Sequence, residues 1–431
     1  MGRLKVTKKI TLKTFALAIC FTLLAPFATS TFAATEPEII SEAGIVMDYD
    51  TGEIIYEKNA NEQMYLASTT KLMTALLFAE NVGKKDLITY TQDALDQPPY
   101  TMNSEQMMPV GKSFKVGDTL DADTVMKELL LFSGNDAAVM IADHVGGSVD
   151  GFVKMMNEKA EELGLTDTHF ENSNGLPVNG RDVNYSTAYE LAKLTKVAYE
   201  NDWVKDTVSL SNARVTLPGN TIIDLENRNT ELGKNGNIGG KTGVTDAAGT
   251  CFAGIYERDG KKYVAVVLKS DRNDNNARFV DLKSMVDYSE DADRLVYKKS
   301  GEEVGTVDLT YKLFRFFGPT KTIQAPIVLS EDAKIYDNNI NETEAEITFD
   351  QKDSNAWKIA SNNSTELTLN IKDFSTNLKG EVKVTTGQLL KANLGIYLAT
   401  LAVIIIVVVL IVIIIKLIKN AGRNRRRSYR R

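Results

Sequence analysis

Hydrophobic and polar positions change their period several times along the chain, and each change predicts a different element. Apolar residues within 43–48 and 53–57, separated by turn-forming residues at 50–52, predict a β-hairpin. Leu72 and Leu76 then recur at helical spacing and predict a buried helix that begins near residue 66. The chain is therefore expected to start with strands and to pass directly into a helix.

Residues 38–295 continue with helices and close with a second hairpin. Strands at both ends with helices between them predict an α+β domain, in which helices flank a mostly antiparallel sheet. The predicted helices cover 122–131, 136–144, 152–163, 186–200 and 277–289, an irregular loop rich in Asn and Gly covers 169–185, and the closing strands cover 250–256 and 262–268.

Residues 300–390 have a different pattern, in which short segments of alternating polarity follow one another with few helix signals. This pattern predicts a small all-β domain. We identify no catalytic constellation in this segment, so we expect it to act as a spacer or as a docking module.

Residues 394–415 form a run of 22 residues without a charge. At about 1.5 Å per residue, a helix of this length crosses a hydrocarbon core of about 30 Å. The basic segment 416–431 follows at once, and the positive-inside rule predicts a cytoplasmic tail and an extracellular body. A buried core helix is the alternative, and the length of the uncharged run argues against it; the absence of a polar face argues against a surface helix.

The N-terminal residues 1–33 have the features of a secretory signal. A basic start leads into an apolar run between Phe15 and Phe27, and the small residue Ala33 suits cleavage. The alternative is an uncleaved anchor, which the short apolar run disfavours.

Charge is unevenly distributed, and this limits the partners that we expect. Of the 50 Lys and Arg residues, five lie in 1–33 and eight in 416–431, so that 37 remain against 57 acidic residues between them, a net charge of about −20. Such an acidic body is a poor binder of nucleic acid. Cys20 and Cys251 provide neither a disulfide framework nor a zinc site built on several cysteines, and we expect no metal and no cofactor.

The first candidate for chemistry is Ser68, with Lys71 three residues later on the same helical face. A serine hydroxyl needs a base to remove its proton, and a lysine amine can do this only if burial or nearby positive charge lowers its pKa towards neutrality. The alternative is that Ser68 caps the helix while Lys71 is solvated, and a Ser-x-x-Lys sequence arises by chance in a chain of this length.

Two further short motifs are weak when each is taken alone. Ser133 and Asn135 lie in a predicted turn between two helices, where capping and turn hydrogen bonds would explain them. Lys241, Thr242 and Gly243 open a predicted strand, where a solvated lysine at the strand end is the alternative.

Together, in this order and in these predicted contexts, the three motifs resemble those of the active-serine penicillin-recognising enzymes. The surrounding sequence is similar to the D-alanyl-D-alanine carboxypeptidase family of low-molecular-weight penicillin-binding proteins over about residues 38–290, which implies a β-lactamase/transpeptidase-like fold. The matching segments are Met47-Asp48, Thr51-Gly52, Ala67-Ser68-Thr69-Thr70-Lys71, Ser133-Gly134-Asn135-Asp136-Ala137-Ala138, His169-Phe170, Asn174-Gly175-Leu176, Ser186-Thr187-Ala188 and Lys241-Thr242-Gly243.

The chain departs from the family pattern at three places. Leu66 stands where the family commonly has Pro, Tyr189-Glu190 where it often has Arg-Asp, and Val244 where some members have His. These differences concern loop shape and substrate preference more than the chemistry.

The resemblance implies a role for each residue of the motifs. Ser68 would attack the terminal D-Ala-D-Ala bond of a peptidoglycan pentapeptide, Lys71 would take its proton, and Ser133 would pass a proton to the leaving D-alanine. The substrate would be held by Asn135, Lys241, Thr242, Gly243 and Val244, with the backbone N–H groups of Ser68 and Val244 forming the oxyanion hole. A β-lactam antibiotic would leave Ser68 acylated.

Other functions share these motifs. A class A β-lactamase would need a deacylating glutamate, and Glu171 lies in the right loop at an unexpected spacing. A transpeptidase or an endopeptidase would use the same acyl-enzyme. A wall-binding anchor without activity would not require the intact motifs.

Overall fold

A five-stranded antiparallel sheet organises the first part of the chain, with its strands in the order Ile54–Lys58, Ala43–Asp48, Lys261–Ser270, Gly249–Arg258 and Asn237–Thr245. The computed structural model describes residues 36–98, 101–102, 108, 112–349 and 355–428, with side chains described as far as residue 421. The predicted signal sequence at 1–33 lies outside these residues. The mixed α+β architecture, with helices on both faces of the sheet, confirms the predicted fold class.

The strands and helices are numbered in chain order. The strands are β1 (Ala43–Asp48), β2 (Ile54–Lys58), β3 (Met64–Tyr65), β4 (Leu87–Thr89), β5 (Thr119–Asp121), β6 (Tyr185–Ser186), β7 (Asn212–Leu217), β8 (Thr221–Glu226), β9 (Asn237–Thr245), β10 (Gly249–Arg258), β11 (Lys261–Ser270), β12 (Arg294–Lys298), β13 (Glu303–Lys312), β14 (Thr320–Leu329), β15 (Ala333–Tyr336), β16 (Glu346–Thr348), β17 (Ser364–Ile371) and β18 (Phe374–Val382). The helices are α1 (Lys71–Asn81), α2 (Gln92–Leu95), α3 (Ala122–Lys127), α4 (Asn135–Gly146), α5 (Val149–Glu162), α6 (Ala188–Glu200), α7 (Asp202–Val208), α8 (Ala277–Asp291), α9 (Asn339–Glu344), α10 (Ala356–Ile359), α11 (Thr386–Ala392) and α12 (Leu394–Ser428).

The two faces of the first sheet bury alternate residues of each strand. In β11, Val264 and Val266 join the large core that α1, α4 and α6 also line, whereas Ala265 and Val267 face α8 on the other side. Because both faces are covered, these strands read as continuous apolar runs. This pattern made β10 and β11 predictable from the sequence.

Several elements differ from the sequence-based prediction. The helix predicted over 122–131 is an α-helix as far as Lys127 and continues as a π-helix over Glu128–Phe132. Neither α7 nor the β7–β8 hairpin was predicted. The Lys-Thr-Gly sequence was predicted to open a strand, but it lies inside the edge strand β9.

The glycine at position 240, inside the strand, explains why β9 was difficult to predict from the sequence. A Cβ at Gly240 would approach the Phe252 ring to 2.4 Å and the Ala253 carbonyl oxygen to 2.7 Å. Glycine is therefore required by the neighbouring strand β10, although glycine in a sequence normally argues against a strand interior.

A second five-stranded sheet, in the order β13-β14-β18-β17-β16, forms the predicted β-rich segment. Its core contains Leu309, Ile327, Leu367 and Trp357. The structure adds the short helices α9, α10 and α11 to this segment, which the alternating pattern did not predict. The division into domains at 38–295 and 300–390 stays a prediction, because residues Pro37–Arg431 form one compact unit.

The last helix, α12, begins where the uncharged run begins. Residues Leu394–Ala421 are long and apolar enough to cross a membrane, with a mean hydropathy of 3.7 over the most apolar window and none of that window buried in the protein. Because none of this window is buried, the alternative interpretation as a buried core helix is wrong.

Candidate active site

Ser68 lies in a turn of 3₁₀-helix, Ala67–Thr70, that leads directly into α1. The turn begins with Ala67 at a φ of +47°, a left-handed conformation that is unusual for alanine. Thr70 precedes α1, and no side chain caps this helix. The alternative in which Ser68 is only a capping residue is therefore wrong, and its half-buried hydroxyl is directed to other partners.

Lys71 is completely buried and its ammonium nitrogen contacts three oxygen atoms. Nζ lies 2.9 Å from Ser68 Oγ, 2.9 Å from Asn135 Oδ1 and 2.8 Å from the Asn174 carbonyl oxygen. Burial, together with the positive charge of Arg228, lowers the pKa of Lys71 from 10.5 to about 7. The alternative of a solvated lysine is wrong, and Lys71 meets the requirement for a base at neutral pH.

Ser133 occupies the turn at which the π-helix ends and α4 begins. Its φ of +73° is left-handed, and its hydroxyl oxygen accepts a hydrogen bond of 2.9 Å from Lys241 Nζ. Strained backbone and single π-turns are both frequent at functional sites. Asn135, two residues later, accepts from Lys71, so this turn contacts both lysines of the site.

Lys241 is also buried, at 1% exposure, which excludes the alternative of a solvated strand end. Besides Ser133, its Nζ donates to the Thr242 carbonyl oxygen at 2.9 Å. Burial first, and then the positive charges of Lys71, Arg228 and Arg278, hold its pKa well below the usual range for lysine. A ligand that brings a negative charge would therefore relieve a concentration of positive charge in this pocket.

Gly243 brings β9 against the turn that carries Ser68. A Cβ at Gly243 would lie 2.9 Å from the Leu66 carbonyl oxygen and 3.1 Å from the backbone nitrogen of Ser68. Thr242 and Val244 flank this glycine. One edge of β9 faces the Ser68 turn, and the opposite edge pairs with β10, where Val244 lies opposite Thr250. The eight residues predicted for the site thus lie on the 3₁₀ turn, on α1, on the turn between the π-helix and α4 together with the first residue of α4, and on β9.

The structure also places at the site three residues that sequence reasoning missed. Asn174 contributes its carbonyl oxygen to Lys71, and Arg228 and Arg278 contribute positive charge. Arg278 is 5% exposed and donates to the Gly243 carbonyl oxygen at 3.4 Å, and its Nε has no hydrogen-bond partner among the described residues. The Asn174-Gly175 pair was a usable signal, since it belongs to the motifs quoted for the resemblance; neither arginine lay in a recognisable motif.

The Asn-rich loop, predicted to be irregular, forms an ordered support below Ser68. The side chain of Asn184 donates to Thr70 Oγ1 at 3.1 Å and accepts from the backbone N–H of Glu171 at 2.8 Å. Gly175, at a φ of +81°, lies so close to Ala67 that a Cβ would meet the Ala67 carbonyl oxygen at 1.8 Å. The side-chain amide of Asn184 and the glycine at 175 therefore hold the loop in place, and with it the Asn174 carbonyl oxygen that accepts a hydrogen bond from Lys71.

The Cys251 thiol and the Glu171 carboxylate are two further groups of a kind that can act as nucleophile or base, but their surroundings do not suit them to that role here. Burial raises the pKa of the Cys251 thiol to about 11, which keeps it protonated at neutral pH. Glu171 is half-exposed and its carboxylate lies 3.8 Å from His169 Nε2. Chemically, the assembled groups can activate a hydroxyl and attract an acidic ligand.

Comparison with known proteins agrees with this geometry. The chain matches the family described as D-alanyl-D-alanine carboxypeptidase over residues 30–272. It is 30% identical over 252 residues to the D-alanyl-D-alanine carboxypeptidase DacF of Bacillus subtilis (strain 168), covering 57% of this chain and 63% of that protein. It is 32% identical over 257 residues to the D-alanyl-D-alanine carboxypeptidase of Streptomyces sp. (strain K15), covering 56% and 85%.

Solved structures give the same result. Penicillin-binding protein D2 of Listeria monocytogenes, in its cefotaxime-bound form, is 30% identical with a TM-score of 0.51, over 59% of this chain and 99% of that one. The match to DacF, like those to DacD and DacC of Escherichia coli (64% and 62%), covers less than two thirds of the relative's length. With more than half of its residues matched to the family and its motifs assembled around one serine, the chain belongs to the D-alanyl-D-alanine carboxypeptidase family.

Proposed function

We propose that this protein is a serine-type D-Ala-D-Ala carboxypeptidase that removes the terminal D-alanine from peptidoglycan pentapeptides through an acyl-enzyme at Ser68. The observation that carries the proposal is the contact of 2.9 Å between Lys71 Nζ and Ser68 Oγ inside a pocket where the pKa of Lys71 is about 7. A base with a pKa near neutrality is the most effective proton acceptor at physiological pH.

The partners of Lys71 direct its lone pair. A neutral amine has two N–H donors and one lone pair, and two of the three contacts, Asn135 Oδ1 and the Asn174 carbonyl oxygen, can only accept hydrogen bonds. When both N–H groups are donated to them, the lone pair is left for the Ser68 hydroxyl. Lys71 therefore takes the proton as Ser68 Oγ attacks the scissile carbonyl carbon.

The tetrahedral oxyanion that follows needs donors at fixed positions. The backbone N–H groups of Ser68 and Val244 supply them, which is consistent with the close approach of Gly243 to the Ser68 nitrogen. Asn135 binds the substrate amide. Because the two N–H donors belong to the backbone of a turn and of a strand, they need to move little when negative charge develops on the carbonyl oxygen of the substrate.

The carboxylate at the end of the substrate is attracted to Lys241 and accepts a hydrogen bond from Thr242. Arg228 and Arg278 add to the positive potential there. The proton that Lys71 took from Ser68 Oγ is relayed through the hydroxyl of Ser133, which is hydrogen-bonded to Lys241, to the nitrogen of the departing D-alanine, so that Lys71 is neutral again. Water then hydrolyses the ester at Ser68, and a β-lactam antibiotic, which resembles the substrate, inhibits the enzyme by acylating the same oxygen.

The location follows from both ends of the chain. A signal sequence at 1–33 exports the protein, and a single span at 394–415 leaves the basic tail 416–431 in the cytoplasm. The catalytic body is then extracellular, in the compartment that contains nascent peptidoglycan. We expect no nucleic-acid partner.

A transpeptidase or an endopeptidase of the same fold is the second candidate. A DD-transpeptidase of Streptomyces K15 has a TM-score of 0.53 and 28% identity to this chain, and a D-alanyl-D-alanine endopeptidase of Escherichia coli is 29% identical. Their acyl-enzyme requires the same groups, and only the acceptor or the bond cleaved differs. A β-lactamase is disfavoured because Glu171 is half-exposed and directed towards His169.

The test is release of D-alanine from a pentapeptide ending in D-Ala-D-Ala, measured for the full chain and for Ser68→Ala. We expect Ser68→Ala to lose at least about 10⁴-fold in rate. Penicillin should add to the native chain once, on the peptide that contains Ser68, as located by mass spectrometry.

Matched controls separate the alternatives. Ser133→Ala should slow acylation, whereas Ser361→Ala, in another Ser-x-Asn sequence of the chain, should not. Rapid turnover of penicillin would indicate a β-lactamase, and a new peptide product with an amine acceptor would indicate a transpeptidase. Full D-alanine release by Ser68→Ala would contradict the proposal.

A further inference from the structure

The tip of the β13–β14 hairpin carries two phenylalanine side chains that the protein does not cover. Phe316 is 83% exposed and Phe317 is 68% exposed, the two largest values for large apolar residues in the part of the chain that the structure describes. Burial of an aromatic ring is strongly favourable, so adjacent exposed rings of this kind indicate an interaction site.

The tip is ordered by its own hydrogen bonds. The backbone N–H of Phe314 donates to the Phe317 carbonyl oxygen at 3.0 Å, and that of Leu313 donates to the Pro319 carbonyl oxygen at 3.1 Å. The Phe314 and Phe317 rings stack with centroids 5.1 Å apart. The two exposed rings are therefore presented by a defined turn.

The same hairpin is attached to the first turn of α12. The Tyr397 hydroxyl donates to the Leu313 carbonyl oxygen at 2.5 Å, and the Tyr397 ring contacts the Phe314 ring edge-on at 5.6 Å. Close to the same turn, Lys321 Nζ donates to Asn393 Oδ1 at 2.8 Å. The position of the tip along the helix axis is thus fixed.

That position coincides with the outer boundary of the proposed membrane span. Lys416 is the first charged residue after the uncharged run and marks the cytoplasmic side. A hydrocarbon core of about 30 Å corresponds to about 20 helical residues, which places its outer boundary near Ile396. Tyr397 lies at this level, where aromatic side chains are enriched in membrane proteins, and the hairpin tip lies beside it.

The charge of the hairpin suits an anionic lipid surface. Residues 311–323 contain Lys312, Arg315 and Lys321 and no acidic residue, although the body of the protein is acidic. Basic side chains near a membrane are attracted to anionic headgroups. We propose that Phe316 and Phe317 insert into the boundary between headgroups and acyl chains of the outer leaflet, with anionic lipid around the basic residues.

This inference rests on the proposed membrane span and is independent of the catalytic proposal. A hairpin that enters the membrane beside α12 gives the second sheet two points of attachment instead of one. Rotation and tilting of the body on a single helix would then be restricted.

The experiment uses the full chain reconstituted in vesicles of phosphatidylglycerol and phosphatidylethanolamine, with acyl chains brominated either close to the headgroup or close to the bilayer centre. Phe316→Trp and Phe317→Trp report the depth of the tip through quenching. Ile222→Trp, at a 60% exposed position of β8, is the control in water, and Ile404→Trp is the control within the span. The signal of the buried native Trp203 and Trp357 is subtracted.

We expect the two tip variants to shift to shorter emission wavelength on reconstitution and to be quenched several-fold more than Ile222→Trp, most strongly by bromine close to the headgroup. Quenching equal to that of Ile222→Trp, in protein that floats with the vesicles, would overturn the proposal. A shift that disappears when the protein is diluted in lipid would indicate a second copy as the partner and would also overturn it. Protein that does not float at all, or an Ile404→Trp signal that is not quenched, would instead contradict the span itself.

Discussion

At the scale of single residues, the site depends on two buried lysines that would be costly to bury as cations. Lys71 and Lys241 differ in their surroundings. Lys71 has two carbonyl acceptors and a hydroxyl, whereas Lys241 has a carbonyl, the Ser133 hydroxyl and three positive neighbours. The surroundings of Lys71 make it a base for Ser68, whereas the surroundings of Lys241 concentrate positive charge that a negatively charged ligand would stabilise.

The pH dependence of acylation follows from the Lys71 pKa of about 7. Only the neutral amine can accept the proton, so we expect the second-order rate of acylation by penicillin to fall about tenfold per pH unit below pH 7 and to level off above it. The measurement is the rate between about pH 5 and 9. Lys71→Arg, which keeps its proton throughout this range, should be inactive at every pH. A flat profile for the native chain would contradict the assignment of the base.

Arg228 provides a finer test of the same base. Its positive charge lowers the pKa of Lys71, so Arg228→Met should raise that pKa and move the acidic limb of the profile to higher pH by a fraction of a unit. Arg214→Met is the matched control, because Arg214 lies on the exposed face of β7 paired with Asp224. If both variants keep the native profile, Arg228 has no part in setting the base.

At the scale of elements, the site is the gap between one edge strand and one helical turn. β9 pairs with β10 on one side and faces the Ser68 turn on the other, and Gly243 sets their separation. The prediction of a helix that begins near residue 66 was nearly correct, since the structure has a 3₁₀ turn over Ala67–Thr70 and then α1. The predicted position of Lys-Thr-Gly at the start of a strand was wrong, because packing against Phe252 and not strand propensity selects glycine at 240.

Gly243→Ala tests the width of this gap. The added Cβ would meet the Leu66 carbonyl oxygen at 2.9 Å and the Ser68 nitrogen at 3.1 Å, so β9 must move away from the oxyanion hole. We expect acylation by penicillin to slow by about 100-fold or more, with the thermal midpoint close to that of the native chain. Gly305→Ala, in open space on β13, is the control and should leave the rate unchanged. An unchanged rate for Gly243→Ala would show that the gap can widen without cost.

At the scale of the whole molecule, the segment that follows α8 contacts the first sheet beside its edge strand β2, through Arg294 of β12 and Asn341 of α9. Arg294 donates through Nε to Glu53 Oε1 at 2.9 Å and through a second nitrogen to Oε2, and the side-chain amide of Asn341 donates to the Ile54 carbonyl oxygen at 2.8 Å. Tyr189 donates to Asp373 at 2.9 Å on another side. The departure of Tyr189 from the family pattern is therefore accompanied by a contact with the second sheet.

Arg294→Ala should weaken this attachment, because Glu53 is 1% exposed and would keep a buried charge without its partner. Loss of one member of a fully buried pair costs about 3–5 kcal/mol, and since Arg294 itself is half-exposed we expect about 2 kcal/mol. The measurement is the midpoint of thermal or urea unfolding. Arg214→Ala, which breaks an exposed pair, should leave that midpoint unchanged. The same midpoint for both variants would contradict the role of the Glu53 contact.

The sequence alone determined the identity and order of the three motifs, the apolar strands β10 and β11, and the uncharged run of α12, because each depends on residues that are neighbours in the chain. Only the tertiary structure decided that Lys71 and Lys241 are buried, that Asn174 offers its carbonyl oxygen to Lys71, and that Arg228 and Arg278 add their charge. The physical reason is that a pKa is set by burial and by neighbouring groups, and Lys71 lies more than 100 residues along the chain from both Asn174 and Arg228.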